Sequence, residues 1–295
     1  MMMHPGEVRA EADQVARLVR AQFPQWSDLP VTPVAQSGTD HHLFRLGAQL
    51  VARMPKIDWA IDQAASDSSW LPQLAPHLPL PVPAPLAVGK PGEGFPWPWS
   101  IAPWLVGENP TAENIDGAVL AADLAAFVLA LRAIDPTGGP AKTGEDRGVP
   151  LSARDRSTRA AIAELDRRVD GAAVTRAWAD AVTAPRWGHP GRWLHGDLLA
   201  GNLLVRNGRL AAVIDWGAVG VGDPAADVTP AWNVLSPTGR TVYRDGLGCD
   251  DATWRRGRGW ALSTSVIALP YYWDTARDIA AHSRQTIDAV LADFG

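Results

Sequence analysis

Three side chains able to handle a proton or a hard cation fall within one short stretch. Between residues 192 and 217 run His195-Gly196-Asp197, then Asn202, then Ile214-Asp215-Trp216-Gly217. Asn207-Gly208 divides two apolar runs, 203–206 and 209–214, and marks a two-residue hairpin turn, because a type I′ turn needs φ > 0 at both central positions. With the turn there, Arg206 pairs with Arg209 and Asn202 falls opposite Val213. Asp215, two residues on, then shares the face of Asn202. Diagonal neighbours of this kind lie about 7–8 Å apart, a span that two side chains can close around one hydrated cation. Asn and Asp supply the hard oxygens that Mg²⁺ takes alongside waters and phosphates. Asp197, in the turn that closes the preceding strand, stands at the mouth of the same hairpin, where a carboxylate can accept a hydroxyl proton. Each residue alone reads as a surface turn or a strand-end cap; their joint spacing argues for a site.

The elements around this hairpin divide into two kinds. Residues 1–23 mix charges with apolar residues at helical spacing and read as an amphipathic helix rather than a signal peptide. Residues 31–36, 43–46 and 50–54 are strand-like and predict an antiparallel meander, followed by a helix over 59–74. Residues 79–103 carry eight prolines with Gly89, Gly92 and Gly94. That composition predicts a passage between two parts, ending near Val106, since neither a helix nor a central strand tolerates it. Helices are expected over 111–134, 152–169 with Ser152 as cap, 172–182, 224–235 opened by Asp223 and Pro224, 251–268 and 273–293. Residues 136–150 read as a connector without obvious chemistry, and His41-His42 as a polar loop.

Composition narrows the partners. The 295 residues carry 27 basic and 32 acidic side chains, a net charge of −5 that gives no footprint for a nucleic-acid backbone. The longest apolar stretch, 117–134, is broken by Asp123 and Arg132, so no membrane span is expected. Cys249 is the only cysteine, which excludes an intrachain disulfide or a Cys-rich zinc site and suits a reducing cytoplasm. Fourteen tryptophans against five phenylalanines and three tyrosines mean that most large rings also carry an N–H donor.

The run His195-Gly196-Asp197 with Asn202, followed by Ile214-Asp215-Trp216-Gly217, resembles the catalytic loop and metal-binding motif of the aminoglycoside phosphotransferase family. These are small-molecule kinases similar in fold to protein kinases. The resemblance covers nearly all of 31–235, and the segment beyond matches only in being helical. It implies an α+β, bilobal, protein-kinase-like fold. Residues 1–106 would form a small antiparallel-sheet lobe for the nucleotide, and 107–295 a larger, mainly helical lobe for catalysis and acceptor, with the nucleotide in the cleft.

It further implies Asp197 as catalytic base, Asn202 and Asp215 as Mg²⁺ ligands, His195 as a structural residue of the loop and Asp227 as its brace. Ser37, Gly38 and Thr39 fall in the loop that covers the phosphates. Arg53 stands where the kinase V-A-I-K segment ends in lysine, and Asp67 where its helical glutamate partner lies, a pair whose plain alternative is a surface salt bridge. Residues 99–104 fall at the adenine-contacting hinge, with Ile101, Ala102 and Trp104 in it, while Pro103 has no N–H to give. Trp216 occupies the place of the phenylalanine in D-F-G.

The implied function is transfer of a γ-phosphate from ATP, or GTP, to a hydroxyl of a small polar molecule, an aminoglycoside-type antibiotic among the candidates. A metabolite kinase for a sugar, a choline-like alcohol or homoserine remains an alternative. A catalytically silent nucleotide-binding protein is a second, kept open by the Arg53 and Asp67 replacements. Asp245, Asp250, Asp251, Asp274 and Asp278 either line a pocket for a polyamine or are solvated charges. The implied partners are a nucleoside triphosphate and a hydroxyl-bearing small molecule, with no nucleic acid and no membrane; the oligomeric state stays open.

Overall fold

The computed structural model describes residues 6–35, 40–165 and 168–295. It separates into two compact units: Met1–Pro76 with Leu80–Val106 and Ala212–Gly217, and His77–Pro79 with Gly107–Ala211 and Ala218–Gly295. Among the described residues no helix is long and apolar enough to cross a membrane.

In the first unit, helix α1 (Ala12–Gln22) buries Val15, Leu18 and Val19, one face at helical spacing. It begins well inside the predicted 1–23. Strands β1 (Val31–Pro33), β2 (His41–Leu46) and β3 (Leu50–Pro55) form the expected meander. Because β2 starts at His41, the two histidines belong to a strand rather than a loop, and His41 is buried. Two further strands, β4 (Ala87–Gly89) and β5 (Trp99–Pro103), complete an antiparallel sheet in the order β1-β2-β3-β5-β4.

Thus β5 lies inside the sheet although the proline-rich segment was expected to exclude a central strand. Pro96 and Pro98 precede the strand and Pro103 is its last residue, opposite Leu50, so residues 99 to 102 keep their N–H groups for the ladder. Phe44, Leu46, Ala52, Met54, Phe95, Trp99 and Ile101 pack with α1 into one core. Helix α2 (Gln63–Leu74) turns Ala64, Asp67, Leu71 and Leu74 inward.

The second unit is mainly helical. Its helices are α3 (Gly117–Ala133), α4 (Asp155–Leu165), α5 (Gly171–Val182), the single turn α6 (Pro230–Asn233), α7 (Pro237–Leu247), α8 (Asp251–Tyr272) and α9 (Arg277–Phe294). Helix α8 packs on α4, α5 and α9, and α3 on α7. Helix α7 was not foreseen, while 224–235 resolves into a 3₁₀ turn, Pro224–Val228, followed by α6. Ser152 caps nothing; it lies in a 3₁₀ turn, Leu151–Arg154, and accepts from Arg186 instead.

Strands β6 (Arg192–Leu194) and β9 (Gly220–Gly222) pair antiparallel. Residues 136–150 are stitched to this ribbon. Val221 N–H donates to Pro140 O (2.8 Å), Lys142 N–H to Val221 O (3.0 Å) and Asp223 N–H to Gly148 O (2.7 Å). Strands β7 (Leu203–Arg206) and β8 (Arg209–Val213) form the hairpin, with Asn207 at φ 54° and Gly208 at φ 71° as a type I′ turn requires.

Candidate active site

The loop after β6 is held from beneath. His195 and Gly196 donate their backbone N–H groups to the two carboxylate oxygens of Asp227, each at 2.7 Å. Asp227 is 1 % exposed, so these charge-assisted bonds offset the cost of burying its charge. Tyr243 Oη donates to the Asp227 carbonyl at 2.6 Å. The loop turns at Gly196, whose φ of 79° and whose missing Cβ, which would lie 2.7 Å from Ala218 O, both demand glycine. The fully buried His195 ring accepts at Nδ1 from the Asp197 N–H (3.2 Å), a geometry that assigns the proton to Nε2.

Asp197 is fixed on two more sides. Asn202 Nδ2 donates to its backbone carbonyl at 2.8 Å. Arg147 Nη1 donates to Gly196 O at 3.1 Å and to Asp197 Oδ1 at 2.5 Å. Segment 136–150, read as a mere connector, therefore delivers a side chain onto Asp197. Asn109, also missed, points its Nδ2 into the carbonyls of Ala200, Gly201 and Leu203 at 3.0–3.2 Å and pins the turn that carries Asn202. Nothing in local sequence marks either residue, because both act across long chain separations.

The register argument for Asn202 and Asp215 does not hold. Asn202 ends a 3₁₀ turn before β7 begins, and Asp215 lies past the end of β8 with φ at 61°, so strand alternation reaches neither. The donor chemistry survives. Asn202 spends its amide nitrogen on Asp197 and keeps Oδ1, and the exposed Asp215 offers a carboxylate. Each is a hard oxygen donor of the kind that Mg²⁺ takes.

In the first unit, Arg53 Nη1 meets Asp67 Oδ2 at 2.6 Å, with both side chains nearly fully buried, so the pair is no surface salt bridge. Helix α2 contributes a residue that sequence reasoning missed, Gln63. Its amide, oriented by its hydrogen bonds, accepts from Arg53 Nη2 (3.2 Å) and from the Gly217 N–H (3.0 Å). Trp216 beside it is fully buried and donates from Nε1 to Val213 O (3.1 Å). His41 is held neutral well below its ordinary pKa, by burial first and then by Arg53 and Lys56.

Ile101 and Ala102 are completely buried in β5, and the Ile101 carbonyl accepts from Leu86 N–H. The Trp104 N–H is spent on Gln49 O (2.7 Å), with Arg45 stacked 4.2 Å from its ring centroid. Ser37, Gly38 and Thr39 lie outside the described residues.

Among curated protein sequences no relative matches the chain. Solved structures similar in fold include a GDP and kanamycin complex of APH(2″)-IIia, at 19% identity and TM-score 0.75, with 95% of this chain and 98% of that one covered. A streptomycin–ATP–APH(2″)-IIa ternary complex aligns at 18% identity and TM-score 0.59, covering 88% and 91%. The macrolide 2′-phosphotransferase MphH from Brachybacterium faecium, an apoenzyme, aligns at 22% identity and TM-score 0.62, covering 95% and 97%. At these identities the likeness is one of fold, a small antiparallel sheet with a larger helical part. A model of the phosphotransferase enzyme family matches residues 31–260. Matched over most of its length, and with its His-Gly-Asp loop braced as described, the chain belongs to the phosphotransferase enzyme family.

Proposed function

We propose that this phosphotransferase uses a nucleoside triphosphate, ATP or GTP, to phosphorylate a hydroxyl of a small polar molecule. The observation that carries this reading is the hold on Asp197. Its backbone is fixed by Asn202 and His195 and its Oδ1 by Arg147, so that Oδ2, which has only a long contact from Asn202 Nδ2 (3.4 Å), is the oxygen placed to receive a proton. In the transfer, the acceptor oxygen bonds to the γ-phosphorus as the bond to the β–γ bridging oxygen breaks, the diphosphate leaves and the hydroxyl proton passes to Asp197.

Arg53, aimed by Asp67 and Gln63, would hold the phosphates, and Leu105 and Val106, which follow β5, would present backbone groups to the base. Asn202 Oδ1 and the Asp215 carboxylate would hold Mg²⁺, whose charge, when bound, neutralises the triphosphate. The unit containing Arg53 would thus serve the nucleotide, and the unit containing Asp197 the acceptor. The structures of similar fold that carry GDP or ATP support the nucleotide assignment. The buried Arg53–Asp67 contact weighs against a silent binding protein, since the replaced pair is made.

Replacing Asp197 by Asn should lower kcat roughly 10²–10⁴-fold while nucleotide binding, followed by calorimetry, persists. Undiminished transfer by that variant would remove Asp197 from the role of base.

A further inference from the structure

The stitched segment 136–150 leaves one group unexplained. Arg147 uses only Nη1 on Gly196 and Asp197. Among the described residues its Nε and Nη2 make no hydrogen bond, and its side chain is 36% exposed. Nε–H and one Nη2–H form the guanidinium edge whose two parallel donors match a pair of anionic oxygens.

The charges nearby do not quench that edge. Lys142 Nζ bonds to Val219 O at 3.1 Å and Arg154 Nη1 to Glu145 O at 2.8 Å, both adding positive charge. Of the two acids in the segment, Asp146 accepts from the Thr143 N–H (3.2 Å) and the Glu145 carboxylate lies 4.0 Å from Arg154. An acceptor whose hydroxyl reaches Asp197 Oδ2 therefore lies next to an open guanidinium. A polyamine would meet like charge there, and an acid would meet its complement.

We propose that Arg147 determines acceptor specificity, its Nε–Nη2 edge binding an anionic oxygen pair of the acceptor, so that the preferred substrate is a small hydroxylated acid and not a polyamine. This rests on the phosphotransferase reading above. The test uses a matched series in which one hydroxylated carbon chain carries a carboxylate, a carboxamide or an ammonium group, with kanamycin and a macrolide added. Steady-state constants are measured for acceptor and nucleotide separately.

The wild type should favour the carboxylate members at least about 10-fold in kcat/KM, the scale of one charge-assisted bidentate contact. Arg147→Gln should erase that preference through the acceptor KM, and Arg147→Lys, which keeps the charge but loses the fork, should retain only part of it. Preference for the ammonium members, kanamycin or the macrolide overturns the inference and leaves the phosphotransferase reading intact. So does a carboxylate preference that survives both variants, or an effect confined to the nucleotide KM, which would place the edge on the nucleotide's own phosphate. Phosphorylated product from no member, with nucleotide bound, overturns both.

Discussion

Asp227 shows how much one side chain can organise. Each of its oxygens takes one of the two N–H groups that would otherwise be orphaned as the chain turns into the Asp197 loop. Asp227→Asn turns one acceptor into a donor facing a donor, and a buried N–H left unpaired costs about 1–3 kcal/mol. We expect urea denaturation to show a loss of that size and kcat to fall with it, since Asp197 hangs from the same turn. A variant with wild-type stability and turnover would show that the loop needs no brace. Asp215 poses the opposite case. Its backbone is left-handed at φ 61°, a conformation that Asn adopts readily. Asp215→Asn should therefore keep the wild-type melting temperature while raising the Mg²⁺ concentration needed for half-maximal turnover, which a magnesium titration would read directly.

At the scale of elements, α2 and β3 are joined by charge in a place where only apolar contact would be expected. Asp67 lies on the face of α2 that also buries Ala64, Leu71 and Leu74, and Arg53 meets it from β3. Removing one partner strands a buried charge, at about 3–5 kcal/mol, whereas replacing both with apolar residues of similar size is often neutral. Arg53→Met alone should therefore be strongly destabilising in urea, and Arg53→Met with Asp67→Leu close to wild type in stability yet poor in nucleotide affinity. Equal destabilisation by the single and double variants would reject this account.

The same scale shows what the sequence could reveal. The hairpin turn was legible because Asn-Gly encodes its own backbone, and the meander because its strands alternate. β5 was hidden because proline counts describe a segment while pairing depends on the exact positions of the rings. Helix α7 carried signals that went unused, Ser236 capping Gly239 N–H and Gly248 closing at φ 60°. Asp197, Asn202 and Asp215 stand out in the sequence through a motif. Arg147, Asn109 and Gln63 were not, because each reaches its partner across 49 or more residues or through an amide whose partners lie on other elements.

Across the whole molecule, the histidines set a pH limit. His41, His42 and His282 are all lowered from the ordinary 6.5, with burial the leading cause in each. Well above pH 6.5 neither folded nor unfolded chain protonates them and they add little pH dependence. Below it the unfolded chain binds protons that the folded one does not, so stability falls from about pH 6.5 toward the folded values. Urea midpoints should therefore be flat between pH 7 and 8 and drop by pH 5.5, and His282→Leu should remove part of that drop; a midpoint independent of pH over this range would contradict it. The tryptophans serve the fold through their N–H as well as their area. Trp178 donates to Asp155, Trp193 to the Asp135 carbonyl and Trp232 to Asp293, each holding distant segments together.

The composition of the first unit bears on how the chain is made. Its buried Trp216 and the residues around it, Ala212–Gly217, come more than a hundred positions after Val106. During synthesis at about 5–20 residues per second this unit must therefore wait roughly 5–20 s after Val106 for its last piece to be made. A nascent chain stalled near residue 106 lacks that piece of the unit, and a gene fragment encoding only that stretch would yield an incomplete body.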